Sequence, residues 1–193
     1  MIRILKEVRS AVVATIVLIV IVSGVYPVIV WGIAQGLFPF EANGSLINKN
    51  GIIIGSRLIA QNFTKIHYFH PRPSSAGTGY DPVSSGGSNF GPLSRTLVDT
   101  VRQRVMKYRT ENSILPGTEI PADAVTASAS GLDPHISLGN ARQQAARVAR
   151  ARGLSEEVLL QKIATHLEGR DMGILGEPRV NVVLLNLDMD GNK

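Results

Sequence analysis

The first forty residues contain a long run without charge, and this run constrains the fold more than any other feature of the sequence. After Arg3, Lys6, Glu7 and Arg9, the next charged residue is Glu41. The intervening segment is dense in Val, Ile and Leu, and about 20 such residues suffice to cross the hydrocarbon core of a bilayer. At roughly 0.3 to 0.6 kcal/mol of insertion free energy per aliphatic residue, the segment outweighs its few polar positions. The sequence therefore predicts a membrane-spanning helix.

The charges that flank this run predict its orientation. Basic residues in front of it favour a cytoplasmic N-terminus, because cytoplasmic flanks carry the excess of Lys and Arg. We therefore predict that residues 1–10 lie in the cytoplasm, residues 11–36 form a transmembrane helix and residues 37–193 form an extracytoplasmic domain. Pro27 predicts a bend in the helix, since its ring removes one helical hydrogen bond.

A cleaved signal peptide is the alternative interpretation of the same run. Ala34-Gln35-Gly36 has the small-x-small pattern of a cleavage site. The apolar core of a signal peptide is normally about 7 to 15 residues long, however, and this run is much longer. We therefore predict an uncleaved anchor.

Composition narrows the chemistry that is open to the chain. The 193 residues carry a formal net charge of +5 and include no cysteine. Disulfides, thiolate zinc sites and cysteine nucleophiles are thereby excluded. A domain of about 150 residues buries enough apolar surface to fold without covalent cross-links.

Apolar patterns after the span predict both strands and helices. Residues 45–60 fit a β-hairpin with Asn50-Gly51 at its turn. Residues 68–95 are rich in Pro, Gly and Ser and predict a long loop, either ordered or acting as a lid. Three helices are expected, from Leu93 to about Thr110, up to Arg152 before a Gly153 cap, and from Ser155 onward, followed by a core strand at residues 179–190. The predicted fold class is a single N-terminal transmembrane helix plus an α/β (α+β) extracytoplasmic domain.

The stretch VTASASGLDPHIS, residues 125–137, gathers serines, an aspartate and a histidine and so raises the question of catalysis. Asp133 before Pro134 is a typical helix start, and Ser137 is an equally good N-cap one turn later. The catalytic interpretation makes His135 a general base that Asp133 orients and that acts on Ser128, Ser130 or Ser137. Members of a catalytic triad normally converge from separate segments, so we favour the capping interpretation.

Three further patterns give weaker functional signals. SSGGSNFGP at residues 84–92 lacks the Gly-Lys-Ser/Thr ending of a phosphate-binding P-loop. NARQQAARVARARG at residues 140–153 joins a narrow apolar stripe to arginines, which fits a solvated helix face, or a site for an anionic ligand, lipid headgroups or an acidic partner. Aromatic residues are too sparse there for nucleic acid, and the four histidines lack a metal-binding spacing, so we predict neither.

The order of the motifs along the chain is more specific than any one of them. After the N-terminal anchor come GSRLIAQNF (55–63), YFHPRPSS (68–75), SSGGSNFGP (84–92), VTASASGLDPHIS (125–137), RVARARGL (147–154) and GILGEPRVNVVLLNLD (173–188). This series resembles the C subunit of Kdp-type potassium-transporting P-type ATPases over nearly the whole chain. His70 departs from that pattern, where an aromatic residue is expected, and so does Leu138, where proline is expected.

The resemblance implies a non-catalytic accessory subunit of an ATP-driven, high-affinity potassium uptake complex in the bacterial inner membrane. The implied partners are a channel-like potassium-binding subunit, an ATP-hydrolysing P-type subunit and membrane lipids. A role in assembly is implied, and also a role as a catalytic chaperone that raises the ATP affinity of the hydrolysing subunit, with a nucleotide contact at Gln143 or Gln144. No tightly bound cofactor is expected for this chain. ATP is expected to interact with it only within the complex, and potassium is the substrate that the complex transports.

The topology argues against a direct nucleotide contact. ATP is cytosolic, whereas the charge rule places both glutamines outside. We therefore expect the span to pack against the channel-like subunit and the outer domain to sit over the extracellular mouth of that subunit. Nine residues of the matching motifs are assigned structural roles: Arg72, Ser88, Asn89, Ser130, Gly131, Asp133, His135, Arg147 and Asn181.

Two functions of other classes stay open. The first is a membrane-anchored extracytoplasmic hydrolase that uses His135 and a nearby serine. The second is a secreted protein that binds acidic ligands, which requires cleavage near Gly36.

Overall fold

The long charge-free run is helical as far as Leu37 in the computed structural model, which describes residues 2–191. Helix α1 spans Ile2–Ile19, helix α2 spans Tyr26–Leu37, and a π-helical segment, Val20–Val25, joins them. Among the described residues, Arg3–Leu37 is the one helix that is long and apolar enough to cross a membrane, and the rest of the chain does not bury it. The prediction of a single long apolar helix at the N-terminus is confirmed.

Pro27 determines the local form of this helix. Proline lacks the amide that would bond to the carbonyl four residues earlier, and its ring crowds that carbonyl. Directly before Pro27, the Tyr26 amide donates to the carbonyl of Ile21, five residues back, which is the π pattern. The helix therefore accommodates the proline by widening its preceding turn.

The chain divides into two compact units, Met1–Leu46 and Ile47–Lys193. The first unit continues beyond the long helix through a single-turn helix, α3 (Pro39–Ala42), and a tight turn. In that turn the Ser45 amide donates to the carbonyl of Phe40 at 3.0 Å. The second unit, called the C-terminal unit below, contains the remaining strands and helices.

A β-hairpin opens the C-terminal part of the chain, as the sequence predicts. Its strands are β1 (Leu46–Lys49) and β2 (Ile52–Ser56), so the second strand ends four residues before the end of the predicted hairpin. The long loop of residues 68–95 is irregular apart from a 3₁₀ turn at Pro82–Ser84. The other elements are α4 (Arg95–Asn112), α5 (Ala122–Val125), β3 (His135–Ser137), α6 (Leu138–Arg152), α7 (Glu156–Thr165), β4 (Leu167–Glu168), β5 (Arg179–Asn181) and α8 (Val182–Met189).

The core of the C-terminal unit lies between a small sheet and helices α6, α7 and α8. The sheet is antiparallel in the order β3-β5-β4, and it pairs both Ile136 and Leu167 with Val180. The buried apolar side chains include Phe69, Ile136, Ala141, Ala145, Val148, Leu159, Ile163, Val180, Val182 and Leu185. Helices that pack beside a small antiparallel sheet give an α+β arrangement, which is within the predicted fold class.

The two helices with the clearest boundary signals form as predicted. Helix α6 starts where Ser137 Oγ accepts a hydrogen bond from the Asn140 amide at 3.1 Å, and it ends at Gly153 in the left-handed region, with φ of 65°. Helix α7 starts where Ser155 Oγ accepts from the Val158 amide at 3.4 Å. Hydroxyl N-caps and a glycine C-cap are the usual chemistry of such ends.

The predicted core strand at residues 179–190 is wrong over most of its length. Only Arg179–Asn181 is a strand, and the chain continues as α8. The Asn181 side chain accepts from the amides of Val183 and Leu184, both at 3.1 Å, which is an N-cap. A short, continuous apolar run does not distinguish a buried strand from a buried helix, and here the cap decides.

The predicted helix start at Asp133-Pro134 is also wrong, whereas the alternative start at Ser137 is correct. Residues His135–Ser137 form β3, so the helix begins only at Leu138. Asp133 Oδ1 accepts from the His135 amide at 3.0 Å, which forms a local turn that leads into the strand.

Candidate functional site

The first turn of α6, the helix that carries Gln143 and Gln144, is fixed by a carboxylate from α5. Asp123 accepts hydrogen bonds from the Ser137 amide and hydroxyl, both at 2.8 Å, and from Asn140 Nδ2 at 2.9 Å. A carboxylate is favourable at the positive end of a helix, so Asp123 anchors α6. Sequence reasoning missed this residue, because no pattern connects it to Ser137, which lies 14 positions later.

Gln144 joins α6 to the long loop. Its side chain is only 1% exposed, and both ends of the amide are bonded. Oε1 accepts from the His70 amide and from Arg147, each at 2.8 Å, while Nε2 donates to the His70 carbonyl at 3.0 Å and to Asn140 Oδ1 at 2.8 Å. Gln144 thus bonds both the amide and the carbonyl of His70, in the way that a neighbouring β-strand bonds a residue of its partner strand.

Arg147 is a buried hydrogen-bond hub rather than part of a solvated basic face. The residue is 6% exposed. Its Nε donates to Asn112 Oδ1 at 2.9 Å, and its Nη1 donates to the carbonyls of Ile66 and Tyr68. The sequence grouped this arginine with the positive charges of the helix, of which Arg142 and Arg150 are indeed exposed.

The Gln143 side chain makes fewer hydrogen bonds than the Gln144 side chain does. Its Nε2 donates to the carbonyl of Glu119 at 2.8 Å. Its Oε1 is buried and has no hydrogen-bond partner within residues 2–191. A nucleotide contact at Gln144 requires existing bonds to break, whereas Gln143 has a free acceptor; the contact itself stays a prediction.

A cleft of about 240 Å³ lies beside Gln144, between the long loop and α4. Its polar lining includes His70, Tyr80, Arg104, Lys107 and Glu111. Burial, and then the charge of Arg147, lower the pKa of His70 below its ordinary value, and burial raises the pKa of Tyr80 to about 12. Both side chains are therefore neutral at pH 7. The lining of the cleft carries charges of both signs, from Arg104, Lys107 and Glu111.

Arg72, Asp133 and His135 form an ion cluster with residues of the sheet. Arg72 Nη1 lies 3.3 Å from Asp133 Oδ2, and His135 Nδ1 lies 3.2 Å from Asp133 Oδ1. On its other side His135 Nε2 lies 3.4 Å from Glu168 Oε2, which Arg179 Nε also contacts, at 3.1 Å. Burial alone would raise the pKa of Asp133, but the hydrogen bonds from His135 and the charge of Arg72 outweigh it and lower that pKa.

The serines of the motif make their hydrogen bonds elsewhere, although Ser128 and Ser130 line the same cavity as His135. Ser137 Oγ donates to Asp123, Ser130 Oγ accepts from the Leu132 amide, and Ser128 is buried. Within residues 2–191, none of the hydrogen bonds of these three serines involves His135. The geometry therefore does not support a serine nucleophile activated by His135. In the same part of the chain, no three His, Asp or Glu side chains converge to hold a metal ion.

Ser130 and Gly131 fasten the motif to the long loop. The carbonyl of Ser130 accepts from the Gly86 amide at 3.0 Å and from Ser85 Oγ at 2.9 Å. Gly131 has φ of 69°, and a Cβ there would lie 2.7 Å from the Ala76 nitrogen and 2.8 Å from the Gly86 carbonyl. Only glycine fits against the long loop at this point.

The remaining motif residues are Ser88, Asn89 and Asn181. Ser88 is half-buried, and Asn89 is exposed with φ of 51°, a region in which asparagine is more readily tolerated than most residues. Asn181 caps α8 and its Nδ2 also donates to the carbonyl of Arg57 at 2.8 Å. The structure thus engages most of the predicted residues in hydrogen bonds and ion pairs within the fold.

Comparison with known proteins gives consistent matches over nearly the whole chain. Residues 8–191 match the family model described as the K+-transporting ATPase, c chain. The chain is similar to the potassium-transporting ATPase KdpC subunits of Koribacter versatilis, at 52% identity over 188 residues, 97% of this chain and 96% of that protein, and of Rhodospirillum rubrum, at 52% identity over 188 residues and 96% of both chains. It is also similar to that of Mycobacterium tuberculosis strain H37Rv, at 48% identity over 185 residues, 96% of this chain and 98% of that protein.

Proposed function

The chain belongs to the KdpC family of potassium-transporting ATPase subunits, and from this premise we propose that it is a non-catalytic accessory subunit needed for the assembly and stability of the pump. One observation carries the proposal: the polar side chains of its most specific motifs are bonded to one another. Gln144, Arg147 and Asp133 are engaged in the fold itself. Such an interior stabilises a shape for docking and leaves few groups for chemistry.

The proposed partners are a channel-like subunit that binds potassium and a P-type subunit that hydrolyses ATP. Potassium is then the substrate of the complex, and this chain has no tightly bound cofactor of its own. The span supports docking within the bilayer, because none of its residues is buried by the part of the chain that the structure describes. At Gly24, Gly32 and Gly36 an added Cβ would meet no atom of the chain, so these positions permit the close approach of another helix.

We place the complex in the bacterial inner membrane, with the N-terminus in the cytoplasm and the C-terminal unit outside, over the extracellular mouth of the channel-like subunit. The basic residues before the span favour this orientation. Since ATP is cytosolic, a catalytic chaperone with this topology raises ATP affinity through its contacts with the partner subunits. Direct contact of Gln143 or Gln144 with nucleotide belongs to the opposite orientation.

The first test is purification of the tagged full-length chain from solubilised native membranes, with mass spectrometry of its partners and of its own N-terminus. We expect stoichiometric recovery of a P-type ATPase subunit and a channel-like subunit, with residues 1–36 intact. Recovery of the chain alone, or of a chain trimmed after Gly36, would contradict the proposal.

The second test separates the two explanations of the ATP effect. Potassium-stimulated ATP hydrolysis is measured for the complete complex, for the complex without this chain, and for a complex that carries Gln143→Ala. We expect the apparent KM for ATP to rise when the chain is absent and to stay unchanged with Gln143→Ala. A rise with Gln143→Ala alone, in a complex of normal composition, would favour direct nucleotide contact.

A further inference from the structure

The hairpin β1–β2 exposes apolar side chains on both of its faces. Ile52 is 68% exposed, Ile53 is 60% exposed and Ile54 is 36% exposed. Successive side chains of a strand point to opposite faces, so Ile53 lies on one face and its two neighbours on the other. In an ordinary globular domain one face of such a ribbon is covered by the core. Within residues 2–191, cover of this kind reaches only the end of β2, where Ser56 is buried, and leaves Ile52 and Ile53 exposed.

Local interactions define the hairpin but do not explain its exposed isoleucines. Asn50 and Gly51 have φ of 53° and 82°, which gives the tight turn, and the Gly51 amide donates to Asn48 Oδ1 at 2.8 Å. Gln61 Nε2 donates a hydrogen bond to the carbonyl of Ile54 at 3.0 Å. An isolated two-stranded ribbon is marginally stable in water. Its stability therefore calls for an apolar environment that the chain itself does not provide.

The chain between the span and the hairpin is compact, and this fixes where the hairpin begins. Asn43 Nδ2 donates to Gln35 Oε1 at 3.1 Å, so residue 43 lies beside the last turns of the membrane helix. The Ser45 amide donates to the carbonyl of Phe40, directly before β1. Strand β1 therefore starts next to the end of the span. A strand of five residues extends about 15 Å, so the whole ribbon stays within that distance of this point.

The composition around this point is that of a membrane–water boundary. Phe38 and Phe40 are 57% and 48% exposed between the span and the hairpin. Aromatic residues are enriched at this depth of a bilayer. Between Glu41 and Arg57 the one charged residue is Lys49, next to the hairpin turn. A long amine of this kind reaches headgroup phosphates while its stem stays in apolar surroundings.

We propose that the hairpin β1–β2 lies in the interfacial layer of the leaflet where the span ends, as a second membrane contact beside the span. Its isoleucines enter the boundary between headgroups and acyl chains, which interfacial elements penetrate by about 5 to 10 Å. The lipid contact of the span continues through Phe38 and Phe40 into the ribbon, and this continuity favours lipid over a protein surface. The second contact restricts the rotation of the C-terminal unit about the membrane normal.

The absence of cysteine makes the test direct. The full-length chain with Ile53→Cys is labelled with an environment-sensitive fluorophore and reconstituted into phosphatidylcholine vesicles. The matched control is Val83→Cys, because Val83 is also an aliphatic residue and is 94% exposed. We expect the label at position 53 to be quenched several-fold more by nitroxides on lipids than by aqueous iodide, and the label at position 83 to show the reverse order.

The same labelled chains are then measured in the assembled complex. A label at position 53 that iodide reaches as readily as it reaches position 83, with and without the other subunits, would overturn the proposal. Shielding from iodide that arises only when the other subunits are present would also overturn it, because it would assign the ribbon to a protein partner. Unchanged far-UV circular dichroism of both variants excludes unfolding as the cause. Neither result bears on whether the chain belongs to a potassium pump.

Discussion

Arg147 places a positive charge inside the C-terminal unit, where neutral oxygens surround it. Its guanidinium group donates hydrogen bonds to the side chains of Asn112 and Gln144 and to the carbonyls of Ile66 and Tyr68. A buried charge is tolerated only when its hydrogen-bonding capacity is used. These contacts also join α6 to α4 and to the segment before the long loop. Stability of the unit at the scale of single residues therefore depends strongly on this side chain.

The substitution Arg147→Met tests this dependence. It keeps an unbranched side chain of similar length but leaves several buried oxygens without donors, each costing about 1 to 3 kcal/mol. We expect the free energy of unfolding to fall by about 2 to 5 kcal/mol, measured by denaturant titration in detergent.

Arg142→Met is the matched control, because Arg142 is exposed on the same helix. Its effect should stay within about 0.5 kcal/mol, as for surface substitutions in general. Equal effects of the two changes would contradict a special role for Arg147.

His70 gives the C-terminal unit a predictable dependence on pH. Its pKa in the folded chain lies below the ordinary value of 6.5, first because the ring is buried and then because Arg147 is near. The unfolded chain therefore takes up a proton at a higher pH than the folded chain does. We expect the melting temperature of the wild type to fall as pH decreases from 6.5 through the folded pKa, and His70→Phe to remove this part of the decline.

A second variant checks the direction of the effect. Glu111 Oε2 lies 3.9 Å from His70 Nδ1 and favours the charged ring. Glu111→Gln removes that support, so we expect the loss of stability below pH 6.5 to become larger than in the wild type. Parallel pH profiles for all three proteins would refute the role of His70.

Individual side-chain roles were the part of the site that the sequence predicted least well. The sequence motifs identified Gln144, Arg147 and Asn181 as residues of interest, but each also has a partner that lies between 35 and 124 positions away. Asp123 carried no signal at all. Hydrogen-bond partners across such separations depend on tertiary packing, which periodicity and spacing do not encode.

At the scale of elements, the contact between the motif at residues 125–137 and the long loop depends on Gly131. We expect Gly131→Ala to lower the free energy of unfolding by about 1 to 2 kcal/mol through left-handed strain. A similar further loss of about 1 to 3 kcal/mol is expected because the new Cβ would overlap backbone atoms of the long loop, at Ala76 and Gly86. Thermal unfolding followed by circular dichroism provides the measurement.

Gly153→Ala is the control for strain alone. Gly153 has φ of 65°, close to that of Gly131, but no atom lies within 4 Å of an added Cβ. Gly153→Ala should therefore lower the free energy of unfolding only by the strain contribution of about 1 to 2 kcal/mol. A loss at Gly153 as large as that at Gly131 would show that the loop contact contributes nothing.

Elements with local boundary signals were predictable, and those without them were not. The Asn50-Gly51 turn, the Ser137 and Ser155 caps and the Gly153 cap each specify a boundary within a few residues, and each was correct. The last apolar segment, residues 179–190, has no such boundary signal in its sequence. Asn181 acts as an N-cap only because its side chain turns toward α8 in the folded chain. Strand propensity of Val and Leu was there overridden by that cap and by burial.

At the scale of the whole molecule, one unit consists largely of exposed apolar residues and the other contains the buried core. The C-terminal unit contains the apolar core and the buried polar residues. The hairpin, at its start, is exposed on both faces. A fragment without the span should thus keep its core and lose the surroundings that the hairpin needs.

We expect residues 38–193, expressed without the span, to fold and to self-associate as concentration rises. The fragment should melt cooperatively, because the hydrogen bonds of Arg147 and Gln144 lie within it. Light scattering after size-exclusion chromatography measures the association. The same fragment with Ile53→Lys should remain monomeric at higher concentration, since a charge at the exposed ribbon opposes association. A monomeric parent fragment at every concentration would count against an unmet apolar requirement.

The π segment at Val20–Val25 sets the phase of the span. A π turn holds about one residue more than an α turn, so side chains before and after it no longer share a common azimuth around the helix axis. A stripe of side chains along α1 therefore continues along α2 with a rotational offset. Deleting Val20 would realign the two halves and would return the Pro27 ring to the carbonyl of Ser23. The two halves of this helix thus present differently oriented faces to their surroundings.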